Sequence, residues 1–211
     1  MGLVKLNDRG VRSATAFGSL NAGSMTFIKK LTSDGSDDDL SFVDGASDVV
    51  LDDTYKEYVF LINDIHAETD TQYFTFQGSI DTGSNYNVAT TSTMFTAAHN
   101  EADTETSLAY ETGVDLAQGT GFINLSPQVG NGNDECCSGY LRLFDPSNTT
   151  FVKHYLIKTQ FMANDGANAF TENAYTAGYC NVTAAIDAVQ FVYSSGNINA
   201  GTIKLYGIKD S

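Results

Sequence analysis

The side chains that could do chemistry in this 211-residue chain are scattered rather than gathered. Its three histidines, His66, His99 and His154, show no His-x-x-x-His spacing, the pattern that sets two imidazoles on one helix face for a metal. His154 falls inside a strand-like run, where an imidazole is an ordinary strand-face side chain. The three cysteines are Cys136, Cys137 and Cys180, with no Cys-x-x-Cys pair to suggest zinc or redox work. Adjacent cysteines fit disulfide geometry badly. Free, mostly buried thiols are therefore expected, with a Cys180 bridge to Cys136 or Cys137 as the alternative. There is no Gly-x-Ser-x-Gly elbow and no Gly-x-x-x-x-Gly-Lys-Ser/Thr loop. Gly119-Thr-Gly121 lacks a third glycine and reads as a turn.

Oxygen ligands are abundant, so calcium is the cation to consider. The best clusters are Asp34-Gly-Ser-Asp-Asp-Asp39 and Asn131-Gly-Asn-Asp-Glu135. Neither follows the twelve-residue calcium loop with its closing glutamate, and no metal or cofactor is assigned. Glycoside hydrolysis needs only two suitably spaced carboxylates; with 26 acidic residues such pairs arise by chance and select nothing. Tryptophan is absent, which leaves tyrosines such as Tyr86, Tyr140, Tyr175 and Tyr179 as aromatic surfaces for a ligand. The candidate ligand loops are those of Tyr86, Asn131, Asn133, Asp134 and Tyr175.

Net charge is −15, from 26 acidic and 11 basic side chains. A body this acidic is repelled by phosphate backbones and anionic lipid, so no nucleic-acid partner is expected. No apolar run of roughly 18 residues is present, so no membrane insertion is expected. The opening Met1-Gly-Leu-Val-Lys-Leu-Asn-Asp lacks the apolar stretch of a secretory signal, and synthesis in the cytoplasm is expected.

The elements that would have to position these groups read as strands. Gln72, Phe74, Phe76, Gly78 and Ile80 alternate with polar residues, the period-2 signature of a half-buried strand. Tyr55–Asn63 is apolar enough to be buried on both faces, and β-rich runs follow at 88–96, 106–111, 120–125 and 139–144. In the run 150–162, Phe151, Tyr155, Ile157 and Phe161 share one face, with Val152, His154, Leu156, Lys158 and Gln160 on the other. Met94–Ala102 is the one serious helix candidate, and its threonine-rich flank favours strand. Residues 188–193 and 201–208 flank a Gly/Asn/Ser loop and read as an antiparallel hairpin, with Phe191 and Leu205 as inward anchors. About ten short strands without a long helix predict an all-β fold, a jelly-roll-like antiparallel two-sheet sandwich. Residues 24–211 would form the sandwich domain. Residues 1–23 would be an N-terminal docking arm, with Lys5, Arg9, Arg12 and Phe17 making its contacts.

Gly10-Val-Arg-Ser-Ala-Thr-Ala-Phe-Gly18 and the closing stretch Phe191–Ile208 resemble small virion proteins of tailed phages, particularly marine ones. Thr54-Tyr-Lys-Glu-Tyr-Val-Phe and Ser138-Gly-Tyr-Leu-Arg-Leu-Phe144 are similar in style to core strands of that group. The resemblance implies a non-enzymatic structural protein on the virion exterior, as tail appendage or fibre or as capsid decoration, in contact with other virion proteins. A homotrimer and contact with a host surface glycan go with that role. A carbohydrate-binding, lectin-like module and a glycan-degrading enzyme are the alternatives.

Overall fold

The computed structural model describes residues 24–165 and 168–209. Among them are twelve strands and no helix: β1 (Met25–Thr32), β2 (Asp39–Val43), β3 (Glu57–Ala67), β4 (Gln72–Ser79), β5 (Thr90–Asn100), β6 (Thr106–Tyr110), β7 (Ile123–Val129), β8 (Cys137–Phe144), β9 (Lys153–Asp165), β10 (Asn168–Cys180), β11 (Ala188–Tyr193) and β12 (Ile198–Ile208). The expected docking-arm residues Lys5, Arg9, Arg12 and Phe17 lie outside the described residues.

Every strand pairing is antiparallel, as the sequence predicts. One run follows the order β1-β12-β3-β8-β9-β10-β5-β6, and a second follows β7-β4-β11-β2. The runs join at the single pair Val129↔Ala163. The loop after β6 seals the sheet further, since Thr90 and Gly119 exchange backbone hydrogen bonds of 2.8 and 3.0 Å and the Ser92 N–H reaches the Leu116 carbonyl. Asp37 bridges Ile198. The result is a nearly closed, barrel-like antiparallel sheet.

Large side chains on the inward positions of both runs make the core. Phe60 of β3 lies 5.3 Å from Phe42 of β2 and 5.4 Å from Phe191 of β11, while Phe76 of β4 meets Tyr155 of β9 at 5.3 Å. Phe191 and Leu205, the expected anchors, are both fully buried. Met94–Asn100 is strand, and Thr90, Ser92, Met94, Thr96 and Asn100 alternate inward along β5. Gly178 is required by packing: a Cβ there would lie 2.4 Å from the Tyr155 hydroxyl and 2.5 Å from the Thr91 carbonyl.

Two sequence expectations are corrected. The hairpin at 188–208 does not form. β11 pairs with β4 and β2, and β12 pairs with β1 and β3. The intervening segment crosses between the runs beside the β3–β4 connection. There the Glu68 N–H donates to the Asn197 carbonyl and the Asn197 N–H donates to the Glu68 carboxylate. Each strand thereby gains long neighbours on both edges, which a two-stranded hairpin could not offer. β4 is also buried on both faces rather than one, because Thr75, Gln77 and Ser79 are covered. The Gln77 amide donates to the Thr120 and Gly121 carbonyls of the sealing loop, which satisfies a polar group that burial would otherwise penalise.

Candidate functional site

Cross-strand pairing fixes which side chains share the outer face of the longer run. One row crosses five strands in register: Tyr110 on β6, Phe95 on β5, Tyr175 on β10, Lys158 on β9 and Tyr140 on β8. At the usual strand spacing it is about 19 Å long. Beside it stand Leu108, which is 76% exposed, and Leu156, which is 47% exposed. The Phe95 and Tyr175 rings stack at 4.9 Å with planes 9° apart, and the Lys158 ammonium lies 5.2 Å from the Tyr175 centroid. A groove of about 280 Å³ runs between Phe95, Tyr140, Leu156, Lys158 and Tyr175. Next to it, His154, Leu156, Tyr179 and Thr91 border a second groove of about 310 Å³.

Charge sets this face apart. Along β8, β9, β10, β5 and β6, none of the described residues in register on the outer side is aspartate or glutamate. The cations Lys158 and Arg142 stand there, and Lys204 and Lys30 continue the row across β12 and β1. Arg142 is ion-paired with Glu57, the acid nearest in the register on β3. In a chain of net charge −15, a face whose own strand positions carry aromatics and cations and no acid, with carboxylates only at its margins (Asp115 beside Tyr110, Asp103 beside His99, Asp64 beside Ser138), is where another surface can approach with least repulsion. Polar side chains border the aromatic row: Gln160 donates to the Thr171 hydroxyl at 2.6 Å and accepts from the Asn173 amide at 2.9 Å.

The expected ligand residues fall in separate places. Tyr175 stands mid-strand on β10 within the aromatic row. Tyr86 lies in the loop before β5, its hydroxyl beside Gly83. Asn131, Asn133 and Asp134 are exposed in the turn before β8, where Asn131 donates to the Glu68 carbonyl and His66 bonds the Gly132 carbonyl at 2.8 Å. No contact gathers these three groups into one site. Phe95, Leu108, Tyr110, Leu156 and Lys158 were not expected as a group, since each is one alternate position on its own strand and only the pairing assembles them.

Among the described residues no three His, Cys, Asp or Glu side chains converge as a metal site. The acidic turn at 34–39 is bonded to itself, with the Asp34 carboxylate accepting from the Ser36 N–H and hydroxyl. All three cysteines are free. Burial pushes the Cys137 and Cys180 thiols up to about 12, and burial with the nearby Asp64 charge raises Cys136. Under native conditions at pH 8, Cys137 and Cys180 should resist a thiol reagent, since at such a pKa only about one thiol in 10⁴ is ionised. Cys136 alone should label, and mass spectrometry of the labelled protein checks this.

On the inner side of the same strands, Glu105, Ser107, Gln128, Phe170 and Glu172 line a polar cleft of about 290 Å³. Burial first, then the Glu111 charge, raises the Glu172 pKa. A carboxyl group that holds its proton more tightly when folded stabilises the fold at low pH, and that contribution is lost as pH rises through the raised folded value. Glu172→Gln should therefore raise the melting temperature at pH 7 and leave it nearly unchanged near pH 3. Thermal scans at the two pH values check the sign.

No protein-family model matches the chain, and neither a curated protein nor a solved structure does.

Proposed function

We propose that this protein is a non-enzymatic structural module on the exterior of a tailed-phage virion, in a tail appendage or as capsid decoration. In this reading the outer face of β8, β9, β10, β5 and β6 docks against another virion protein. The resemblance of residues 10–18 and 191–208 motivates the setting. One observation carries the role: an exposed aromatic and apolar surface, with no acid at its outward strand positions, in a strongly acidic protein. The finer fold reading is a two-sheet, jelly-roll-like sandwich of the eight-strand and four-strand runs. It is supported by the sparse backbone pairing between them, one strand pair and one isolated bridge, and by the rings of Phe42, Phe60, Phe76 and Tyr155 that meet between them.

Docking a protein suits the ring geometry better than stacking a sugar. β5 and β9 flank β10 on opposite sides, so Phe95 and the Lys158 ammonium approach Tyr175 from its two faces. A sugar platform needs a free ring face, and Tyr175 has little to offer.

The test uses a phage deleted for this gene and supplied with the protein in trans. Tyr175→Asp and Leu156→Asp should each reduce incorporation into purified particles at least about tenfold, because a buried unpaired carboxylate at an interface costs more than the 1.4 kcal/mol that a factor of ten represents. Their melting temperatures should stay within about 2 °C of wild type. Unchanged incorporation of both variants, or saturable binding of the isolated protein on a glycan array that both abolish, would sink the docking reading.

A further inference from the structure

Three strands end the sheet: β1, β2 and β6. An unpaired strand edge is a row of free N–H and C=O groups that invites another strand, and folded proteins blunt such edges with charge or bulges. β1 carries Lys29 and Lys30 and a register shift between Phe27 and Lys29. β2 opens on Asp39 and follows Asp37 and Asp38. β6, Thr106-Ser-Leu-Ala-Tyr110, has no charged residue and no register shift, and all five residues are exposed. Among the described residues no strand covers its outer side.

The orientation of its backbone is fixed by its one partner. The Glu111 N–H donates to the Met94 carbonyl, and the Asn100 N–H donates to the Glu105 carbonyl. In an antiparallel pair hydrogen-bonded positions alternate, so residues 105, 107, 109 and 111 bond toward β5. The N–H and C=O groups of Thr106, Leu108 and Tyr110 therefore point away from the sheet. The strand is anchored at both ends. The Asn100 side chain accepts from the Thr104 and Glu105 N–H groups at 2.9 Å each, and the Tyr110 hydroxyl donates to Asp115.

We propose that β6 pairs antiparallel with β6 of a second copy of this chain, about a two-fold axis at Leu108. Leu108 then faces Leu108, and Thr106 faces Tyr110 of the other copy, which satisfies roughly six backbone groups on each chain's edge. The parity matches, since Thr106, Leu108 and Tyr110 all lie on the outer face. The aromatic rows of the two copies thus become one continuous surface, and the most exposed large apolar side chain among the described residues is covered. A second copy fits better than an acidic or basic peptide because the edge itself is uncharged and its outward groups are symmetric about Leu108. The same register sets Glu105 near Glu111 of the second copy, a like-charge contact that weakens pairing and is screened by salt.

Pairing of the β6 edge is independent of what the aromatic face docks against. Dimerisation can fail while docking survives, and the Tyr175 variant separates the two. Sedimentation equilibrium of the full chain across a concentration series should show a monomer–dimer equilibrium that tightens as salt is raised. Leu108→Pro should weaken it at least about tenfold. It removes an outward N–H that the fold does not use, a place where a strand tolerates proline. Leu108→Lys sets two ammonium groups face to face and should do the same, and it remains a test should the proline variant misfold. Tyr175→Asp should leave the equilibrium unchanged. A wild-type protein that stays monomeric overturns the proposal, as does an association that salt weakens or one that survives in both folded Leu108 variants. A monomer whose Leu108 amide is nevertheless protected from hydrogen exchange, with protection lost on deleting residues 2–22, would show the edge covered by the chain's own N-terminal segment and would overturn it too.

Discussion

Phe191→Ala should cost about 3–5 kcal/mol of stability, the range for truncating a fully buried phenylalanine. Phe191 is completely covered, and its ring centroid lies 6.2 Å from Phe42, 5.4 Å from Phe60, 6.1 Å from Phe74 and 6.3 Å from Phe76. Those four rings come from β2, β3 and β4, which belong to both strand runs. Backbone pairing between the runs is confined to Val129↔Ala163 and the isolated bridge Asp37↔Ile198, so side-chain packing of this kind, more than the ladder, holds one against the other. The cavity left by alanine is bordered by these four rings, which are themselves packed in the core and can close on it only in part. For a chain of this length the loss corresponds to a drop of roughly 6–20 °C in melting temperature. Differential scanning calorimetry measures it. A loss within about half a kcal/mol would mean that Phe191 does not sit at the centre of the core.

Lys153→Met should be comparably damaging, about 3–5 kcal/mol, for a polar reason. Lys153 opens β9 and is fully buried, and its ammonium donates to the carbonyl oxygens of Val182, Thr183 and Ala184 at 3.2, 2.9 and 2.5 Å. Those carbonyls lie on the connection from β10 to β11, where the chain passes from one run to the other. Methionine keeps most of the aliphatic stem but leaves three acceptors without a donor, each a cost of about 1–3 kcal/mol in the interior when nothing replaces it. The surface lysine of the aromatic row provides the contrast. Lys158→Met loses an exposed cation–π contact worth about 0.5–1 kcal/mol. Urea unfolding of the two variants side by side measures the difference. Equal losses would show that the buried ammonium has no special part in fixing the crossover.

The fold class was legible because period-2 patterning is strong wherever one face is apolar, as along β8 and β9. β10 escaped notice for a physical reason. After Phe170 its inward side is Glu172, Ala174, Thr176, Gly178 and Cys180, small or polar residues of which Gly178 lies against Tyr155, so inner and outer positions look alike in sequence. The two C-terminal strands were each recognised. Their partners were misjudged because loop composition reports a reversal of the chain and not which layer the next strand joins. Tyr140 and Tyr175 could be singled out as aromatic surface, but their alignment with Phe95, Tyr110 and Lys158 depends on the registers of four strand pairs, β8–β9, β9–β10, β10–β5 and β5–β6. Nothing local encodes that row. The absence of acids from the outward positions of these five strands is likewise visible only after the strands are paired.

The most direct measurement is a cryo-electron microscopy reconstruction of purified phage particles at a resolution that traces strands. It should place the domain on the outside of the head or tail, with Phe95, Tyr140, Leu156 and Tyr175 buried against a neighbouring virion protein and the acidic turn at 34–39 toward solvent. Particles that lack the protein, or a domain on the particle whose aromatic face is open to solvent, would contradict the docking role.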